Sequence, residues 1–439
     1  VSIFFYTIFL WLYKTGIRTV SPWNPKAKLW TDGRKNLLEQ VGSLKLEKGD
    51  QVIWMHCASL GEFEQGRPII ERLRKQDARN KVVLTFFSPS GYEIRKDYKG
   101  ADYIFYLPAD SKNNARLFID AIKPSLVLWI KYDYWFYYLS ELKRRDIPIL
   151  LISAVFRDDQ PFFKWYGKLH RYMLDCFTQL FVQTEESKKI LATLGISDNV
   201  CIVGDTRFDR VTEIARQFTA IPIVEYFCGD KKVIVAGSTW EEDEEELDHY
   251  ANTHPDIKFI IAPHEIDEAH LKEIESLFHE SVRYSALERQ LTVDSSQQLT
   301  ENTVAKLSTV NRQLSTPNVL IIDNIGMLSR LYKYATIAYV GGGFGDDGVH
   351  NVLEAAVYGK PVVFGPVIEK YFEAMELADC GGGIVIDSAL EAEAVFDRLF
   401  NNPEEYRFAC EAASSYVYGK KGATEIIVRY IQENLLLTS

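Results

Sequence analysis

"YVGGGFGDDGVHNVLEAAVYGKPVVFGP", residues 339–366, decides how the chain is read. An apolar run feeds a loop with five glycines in the eight residues 341–348, a helix is expected from near His350, and "KPVVFGP" reads as the next strand. Strand, glycine loop, helix and strand form the unit of a parallel α/β sheet, whose ligands sit beyond the carboxyl ends of the strands. A sharp turn needs fewer glycines. Here they let the backbone approach a ligand closely, and the helix start offers N–H groups and a positive dipole to a phosphate. The loop is read as a nucleotide phosphate site, with Asn351 and Glu354 placed to hydrogen-bond sugar hydroxyls. Gly343, Gly345 and Gly348 also fit G-x-G-x-x-G. A lone match so late in the chain leaves little room for a second mononucleotide half, so a nicotinamide-dependent oxidoreductase is the weak alternative.

Outward from this loop the same alternation recurs. "KKVIVAGSTW", "DIKFIIAPHE", "NVLIID", "ATIAYVGGG" and "GGIVI" read as strands around it. An earlier series comprises "QVIWMHCAS", "KVVLTFFSPS", "SLVLWIKYDYW", "IPILLISAVF", "LFVQ" and "VCIVGDTRFD". Between them, around 208–230, the signal thins. The prediction is two Rossmann-like doubly wound domains in tandem, facing a central cleft, over 21–215 and 216–420. Residues 421–439 are expected to form a helix packing back on the first domain. The polar stretch 285–317 reads as a long loop or insertion.

The 439 residues are 47% hydrophobic and 25% charged, an ordinary globular balance with ample core. A formal net charge of −11 argues against a dedicated nucleic-acid binder. The six cysteines form no C-x-x-C pair, so they are read as free structural residues rather than zinc ligands or a disulfide framework. The start differs from the rest: "VSIFFYTIFLWLY" is 13 residues without a charge, followed by Lys14, Arg18, Lys26, Lys28, Arg34 and Lys35. It is short for a span and lacks a signal peptide's basic lead. Residues 1–20 are read as an interfacial or short membrane anchor, basic flank on the cytoplasmic side.

Several charged residues stand at strand ends. In "HCASLGEFEQGRP" (56–68), Ser59 and Glu62 have the spacing of a capping box. Gly61, Gly66 and Pro68 are poor helix material, so the helix is expected to settle near Arg67 and leave Glu62 in a loop or loose first turn, where a cap and a catalytic base are both open readings. Lys131 and Asp133 share a face if their strand persists. Arg207 reads as a lone cation after a strand. The acidic run 241–246 is read as a helix first turn complementing its dipole. Asp346 and Asp347 have no further ligands nearby in sequence, and His264 and His270, six apart, cannot form an H-E-x-x-H pair. No metal is assigned.

Together, "HCASLGE", "KPSLVLWIKYDYW", "IPILLISAVFR", "VGDTRFD", "AGSTWEEDEEEL" and "HNVLEAAVYGKPVVFGP" resemble the 3-deoxy-D-manno-octulosonic acid (Kdo) transferases of lipopolysaccharide assembly, over nearly the whole chain. The resemblance implies a GT-B fold with an acceptor-binding first domain and a CMP-sugar-binding second domain. It implies inverting transfer of Kdo from CMP-Kdo to a lipid A precursor at the cytoplasmic face of the bacterial inner membrane, with no cofactor. Glu62 matches the general base, Pro263 and His264 a CMP-contacting pair, Ile325, Gly326 and Met327 a second donor segment, and Asn351, Val352, Leu353 and Glu354 a third. Arg207 falls where the family often has a lysine that stabilises the transition state. Lys131 replaces a family carboxylate with that task, leaving Asp133 as the acidic member. His264 replaces a usual arginine, and Trp240 a common histidine. The rival within the fold is a glycosyltransferase using a UDP-sugar.

Overall fold

In the computed structural model, which describes residues 2–294, 317–346 and 348–437, the apolar runs form two seven-stranded sheets. Residues 1–210 with 421–439 make one compact unit, and residues 211–420 the other.

The first unit contains β1 (Gln51–Cys57), β2 (Asn80–Phe86), β3 (Tyr103–Tyr106), β4 (Leu126–Ile130), β5 (Ile149–Ala154), β6 (Gln179–Val182) and β7 (Val200–Ile202). Their order is β3-β2-β1-β4-β5-β6-β7, all parallel. The sequence order reverses between β1 and β4, the switch point where doubly wound sheets bind ligands. Alternate residues of β1 feed opposite cores: Val52 and Trp54 one, Ile53, Met55 and Cys57 the other. Both faces are covered, which is why the strands read as continuous apolar runs. Ile427, Val428 and Ile431 of the helix Ala423–Glu433 pack into the second of these cores. The Asp209 carboxylate fastens the start of that helix, accepting from the Gly422 and Thr424 N–H groups at 2.6 and 2.7 Å.

The second unit contains β8 (Val233–Thr239), β9 (Lys258–Pro263), β10 (Ser281–Arg283), β11 (Val319–Ile321), β12 (Ile337–Val340), β13 (Val362–Phe364) and β14 (Gly383–Val385). Their order is β10-β11-β9-β8-β12-β13-β14, again parallel, with the switch between β8 and β12.

Residues 2–20 are helical, and among the described residues no helix is long and apolar enough to cross a membrane. The helix is tied to the first unit: the Tyr6 hydroxyl donates to Asp110 at 2.6 Å, and Thr7 bonds the Tyr137 hydroxyl at 2.8 Å. Part of the expected polar loop is the helix Tyr284–Asp294, while 295–316 lie outside the described residues. The thin stretch 208–230 holds the helices Arg207–Arg216 and Pro222–Cys228. All six cysteines are free.

Candidate active site

At the switch point of the first unit, the helix Leu60–Gln76 follows β1 without a break, Pro68 inside it. The expected late start is overturned by packing. Phe63, Ile69, Ile70 and Leu73 are all buried on the sheet, each contributing about 1.5–3 kcal/mol, against about 3 kcal/mol for a helix proline. Gly66 makes the close approach possible: a Cβ there would lie 2.3 Å from the Met55 sulfur.

Glu62 thus sits in the helix's first turn, 8% exposed. Its carboxylate accepts the Ala58 N–H in a short bond, so it does cap the turn, whereas the Ser59 side chain does not. The Tyr132 backbone N–H, in the loop after β4, also favours its charged form. Burial and the neighbouring Asp133 charge push its carboxyl up to about 7, against the pull of these two amides and of Lys131.

Strand β4 ends at Ile130, and Lys131 turns left-handed at φ 55°, so the strand does not carry Lys131 and Asp133 on one face. The turn brings both toward Glu62, whose carboxyl feels the charge of each. Asp133 Oδ2 also lies 3.7 Å from Nε2 of the fully buried His56, whose Nδ1 bonds the Thr85 hydroxyl at 3.0 Å.

Arg207 opens the helix Arg207–Arg216 and is no lone cation. Its Nε and Nη2 lie 2.9 and 2.8 Å from Asp205 Oδ2. Gln65 and Gln183 donate to the same oxygen at 2.9 and 3.0 Å. Asp205 therefore ties together the helix after β1, the end of β6 and the start of the Arg207 helix.

In the second unit, Trp240, His264 and His350 follow β8, β9 and β12, around that unit's switch point. The Trp240 indole N–H donates to His350 Nε2 at 3.0 Å with the rings only 19° apart, so the two lie side by side. His264, exposed, stacks on both, with centroids 4.6 Å from Trp240 and 4.5 Å from His350. The bond leaves neutral His350 with its proton on Nδ1.

The glycine loop is held from beneath by Asp243, which accepts from Gly342 N–H, the Tyr339 hydroxyl and Trp240 N–H at 2.7, 2.7 and 3.0 Å. The acidic run thus does more than complement a dipole. Asp243 and Glu244 are buried, and Glu244 receives Thr239 and His270 at 2.7 and 2.9 Å. A Cβ on Gly343 would meet the Gly365 backbone at 2.6 Å, so chain packing requires this glycine irrespective of any ligand. The helix expected from near His350 is one turn, Leu353–Ala356. Asn351 donates to Glu354 at 3.1 Å and accepts from Leu353 N–H at 3.3 Å. Val352 and Leu353 are buried and serve the core. Ile325 is 87% exposed, Gly326 is left-handed at φ 96° and Met327 is buried, in the segment after β11. Pro263 ends β9. Among the described residues no cluster of three metal-ligating side chains occurs, and Asp347 lies outside them.

Residues 35–210 match the family described as 3-deoxy-D-manno-octulosonic-acid transferase (kdotransferase). A curated 3-deoxy-D-manno-octulosonic acid transferase of Chlamydophila psittaci is 25% identical over 386 residues, covering 85% of this chain and 82% of that one. The chain thus carries a Kdo transferase family domain and resembles curated Kdo transferases over most of its length, at modest identity. Its Kdo transferase relatives mark it as a glycosyltransferase. A bifunctional glycosyltransferase/methyltransferase of Fusobacterium nucleatum is 28% identical over 427 residues, 94% of this chain but only 59% of that relative's length. Among solved structures, UDP-GlcNAc 2-epimerase of Neisseria meningitidis, bound to UDP-GlcNAc, aligns with TM-score 0.57 at 22% identity, over 88% of this chain and all of that one. This last likeness shows the fold alone.

Glu62, Lys131 and Arg207, singled out from the sequence motifs, all follow strands of the first sheet at their carboxyl ends. Asp205 and His350, which hold Arg207 and Trp240, are not singled out by the sequence. Asp205 stood inside the quoted "VGDTRFD", but its glutamine partners are 140 and 22 residues away in sequence. The Trp240–His350 bond spans 110 residues and leaves no local signal.

Proposed function

We propose that this chain transfers Kdo from CMP-Kdo to a lipid A precursor, inverting the anomeric carbon in one displacement. The observation that carries the reading is Glu62, buried at the β1/β4 switch point with its carboxyl raised to about 7. A sugar hydroxyl is a weak nucleophile until its proton is removed during attack. A carboxylate whose pKa lies near the working pH is suited to that task. A carboxylate has about four acceptor positions, so the Ala58 amide leaves room for the hydroxyl. Lys131 and Arg207 supply positive charge for the donor's carboxylate and the departing CMP phosphate.

Residues 211–420 would hold the donor, through Pro263 and His264, the segment Ile325, Gly326 and Met327, and the polar pair Asn351 and Glu354. The exposed outer face of His264, backed by the coplanar Trp240–His350 pair, suits stacking of the pyrimidine, worth about 1–3 kcal/mol per base. Trp240→Ala removes that backing and the bond to His350. CMP affinity measured by calorimetry should fall about tenfold or more; unchanged affinity would reject the stacking role.

The N-terminal helix exposes Phe4, Phe5, Phe9 and Leu12, with Lys14 and Arg18 following. This pattern supports a helix lying in the plane of the inner-membrane surface, on the cytoplasmic side. Sedimentation with anionic but not neutral vesicles is the expected result; equal partition into both removes the electrostatic part of this reading.

The decisive experiment incubates the protein with CMP-Kdo and a lipid A precursor and weighs the product lipids by mass spectrometry. A product heavier by one or more Kdo residues is expected. Absence of product, together with thermal protection by UDP rather than CMP, would replace the reading with UDP-sugar transfer.

A further inference from the structure

His56 is fully buried on β1, yet its Nε2 has no hydrogen-bond partner among the described residues. The same holds for Oδ2 of Asp133, and these two buried atoms lie 3.7 Å apart. A buried polar atom without a partner is costly and calls for a reason. The strand register sets His56 beside Thr85 of β2 on one side and Trp129 of β4 on the other. The Trp129 indole N–H donates to the Asp133 carbonyl in a short bond, and Lys131 N–H donates to the Ile152 carbonyl at 3.1 Å. These two bonds fix the turn after β4, and with it the place of the Asp133 carboxylate.

Neighbouring bonds select the His56 tautomer. The Trp54 indole is a donor only, and it donates to Thr85 Oγ1 at 2.9 Å. The Thr85 hydroxyl proton has two acceptors in reach, His56 Nδ1 at 3.0 Å and the Met55 carbonyl at 3.5 Å, and the imidazole is the nearer. With Nδ1 accepting, the neutral ring carries its proton on Nε2. The other tautomer would set a nitrogen lone pair against a carboxylate oxygen.

We propose that His56 is a positioning residue for the base, its Nε2–H closing onto Asp133 Oδ2 so that this carboxylate is held, charged, beside Glu62. A shift of roughly 0.8 Å takes the 3.7 Å separation to hydrogen-bond length. Catalytic hydrogen bonds that are long in the free enzyme tighten in this way when substrate arrives. The consequence runs through charge. An ionised Asp133 disfavours a second negative charge on Glu62, which raises the affinity of Glu62 for a proton. Without the His56 donor, Asp133 loses the bond that favours its charged form. The other groups around the pair act differently. Burial raises the Cys57 thiol and the Tyr13, Tyr132 and Tyr134 phenols, so none of them takes up charge near neutral pH. Lys131 pulls Glu62 in the opposite sense, and Asp205, Arg157 and Arg207 act on Tyr132. The rate effect rests on the transfer reading, with Glu62 as base; the pairing of His56 with Asp133 does not.

The test compares His56→Asn with His56→Gln in the full chain. Asparagine can bond Thr85 but is too short to reach Asp133, whereas glutamine reaches it. In His56→Asn the midpoint of the acid limb of kcat against pH should move down by roughly half a unit to one unit, with a lower plateau. His56→Gln should return the midpoint toward wild type. A side chain that only fills the core would give both amides the same midpoint. Thermal unfolding supplies a readout free of turnover: the gain from Glu62→Gln at pH 8 should shrink in the His56→Asn background and persist in the His56→Gln background. If the His56 variants do not fold, nitrogen NMR of labelled histidine rings in wild type and in Asp133→Asn replaces them, and one ring protonated on Nε2 should respond to that substitution. A midpoint that stays or rises in His56→Asn, equal midpoints in the two amides, or no such ring responding to Asp133→Asn overturns the proposal. A Glu62→Gln enzyme at full rate removes the base reading, and the stability coupling then still reports whether His56 holds Asp133. An inactive Glu62→Gln enzyme with an unmoved midpoint in His56→Asn removes the His56 role alone.

Discussion

Glu62→Gln should lower kcat for Kdo transfer by about 10²–10⁴-fold while leaving CMP-Kdo affinity within a factor of two or three. Glutamine keeps an oxygen for the Ala58 amide but cannot take a proton. The wild-type pH profile should fall about tenfold per unit below pH 7, since the carboxyl must be ionised to act and is raised to about 7. The same substitution should raise stability. From pH 4.5 upward the unfolded chain ionises at this residue while the native chain stays protonated, so native stability declines until pH 7 is passed. The displacement from the ordinary 4.5 to about 7 corresponds to roughly 3 kcal/mol. Glu62→Gln should recover on the order of 1–3 kcal/mol at pH 8 and almost nothing at pH 4. Thermal unfolding at the two pH values measures this. A variant that is both active and no more stable at pH 8 would remove the base assignment and the burial argument together.

How far the sequence discloses the molecule follows from which forces leave a local trace. Strands covered on both faces are continuous apolar runs, so β1, β4, β5, β8, β9 and β12 are legible. The edge strands β3 and β10 are only Tyr103–Tyr106 and Ser281–Arg283, with little apolar pattern to read. Pro68 signals a broken helix, and only the burial of Phe63, Ile69, Ile70 and Leu73 explains why the helix continues. Lys131 lies in an apolar run that reads as continuing strand, yet its backbone turns left-handed while its N–H still bonds the Ile152 carbonyl at 3.1 Å. Charged residues after strands are found because the strand ends are found. Their partners are not, because Asp205 with Gln65, and Trp240 with His350, meet only once the sheets have formed.

Asp205 carries the second large effect. It is 5% exposed and takes donors from Gln65, Gln183 and Arg207. Burial alone would raise its carboxyl, but Arg207 and Lys131 charges and the Arg207 bonds outweigh burial and hold it below the usual range. Its contribution to stability is therefore present above the carboxylate pKa of the unfolded chain and is lost as pH falls through the lower native value. Asp205→Ala deprives two glutamine amides of a shared acceptor and Arg207 of its carboxylate, at a cost of about 3 kcal/mol. For a unit of this size that is a drop of roughly 5–10 °C in its unfolding transition near pH 7. The difference from wild type should narrow as the pH falls below the usual carboxylate range. Arg207 also loses the group that aims its guanidinium, so kcat should fall more than CMP-Kdo affinity, and Asp205→Asn, which keeps an oxygen for the glutamines, should recover stability before it recovers rate. A transition within 2 °C of wild type would show that Arg207 is oriented by other groups. An Asp205→Asn variant regaining full rate would show that the carboxylate's charge, as distinct from its hydrogen bonds, is not what positions Arg207.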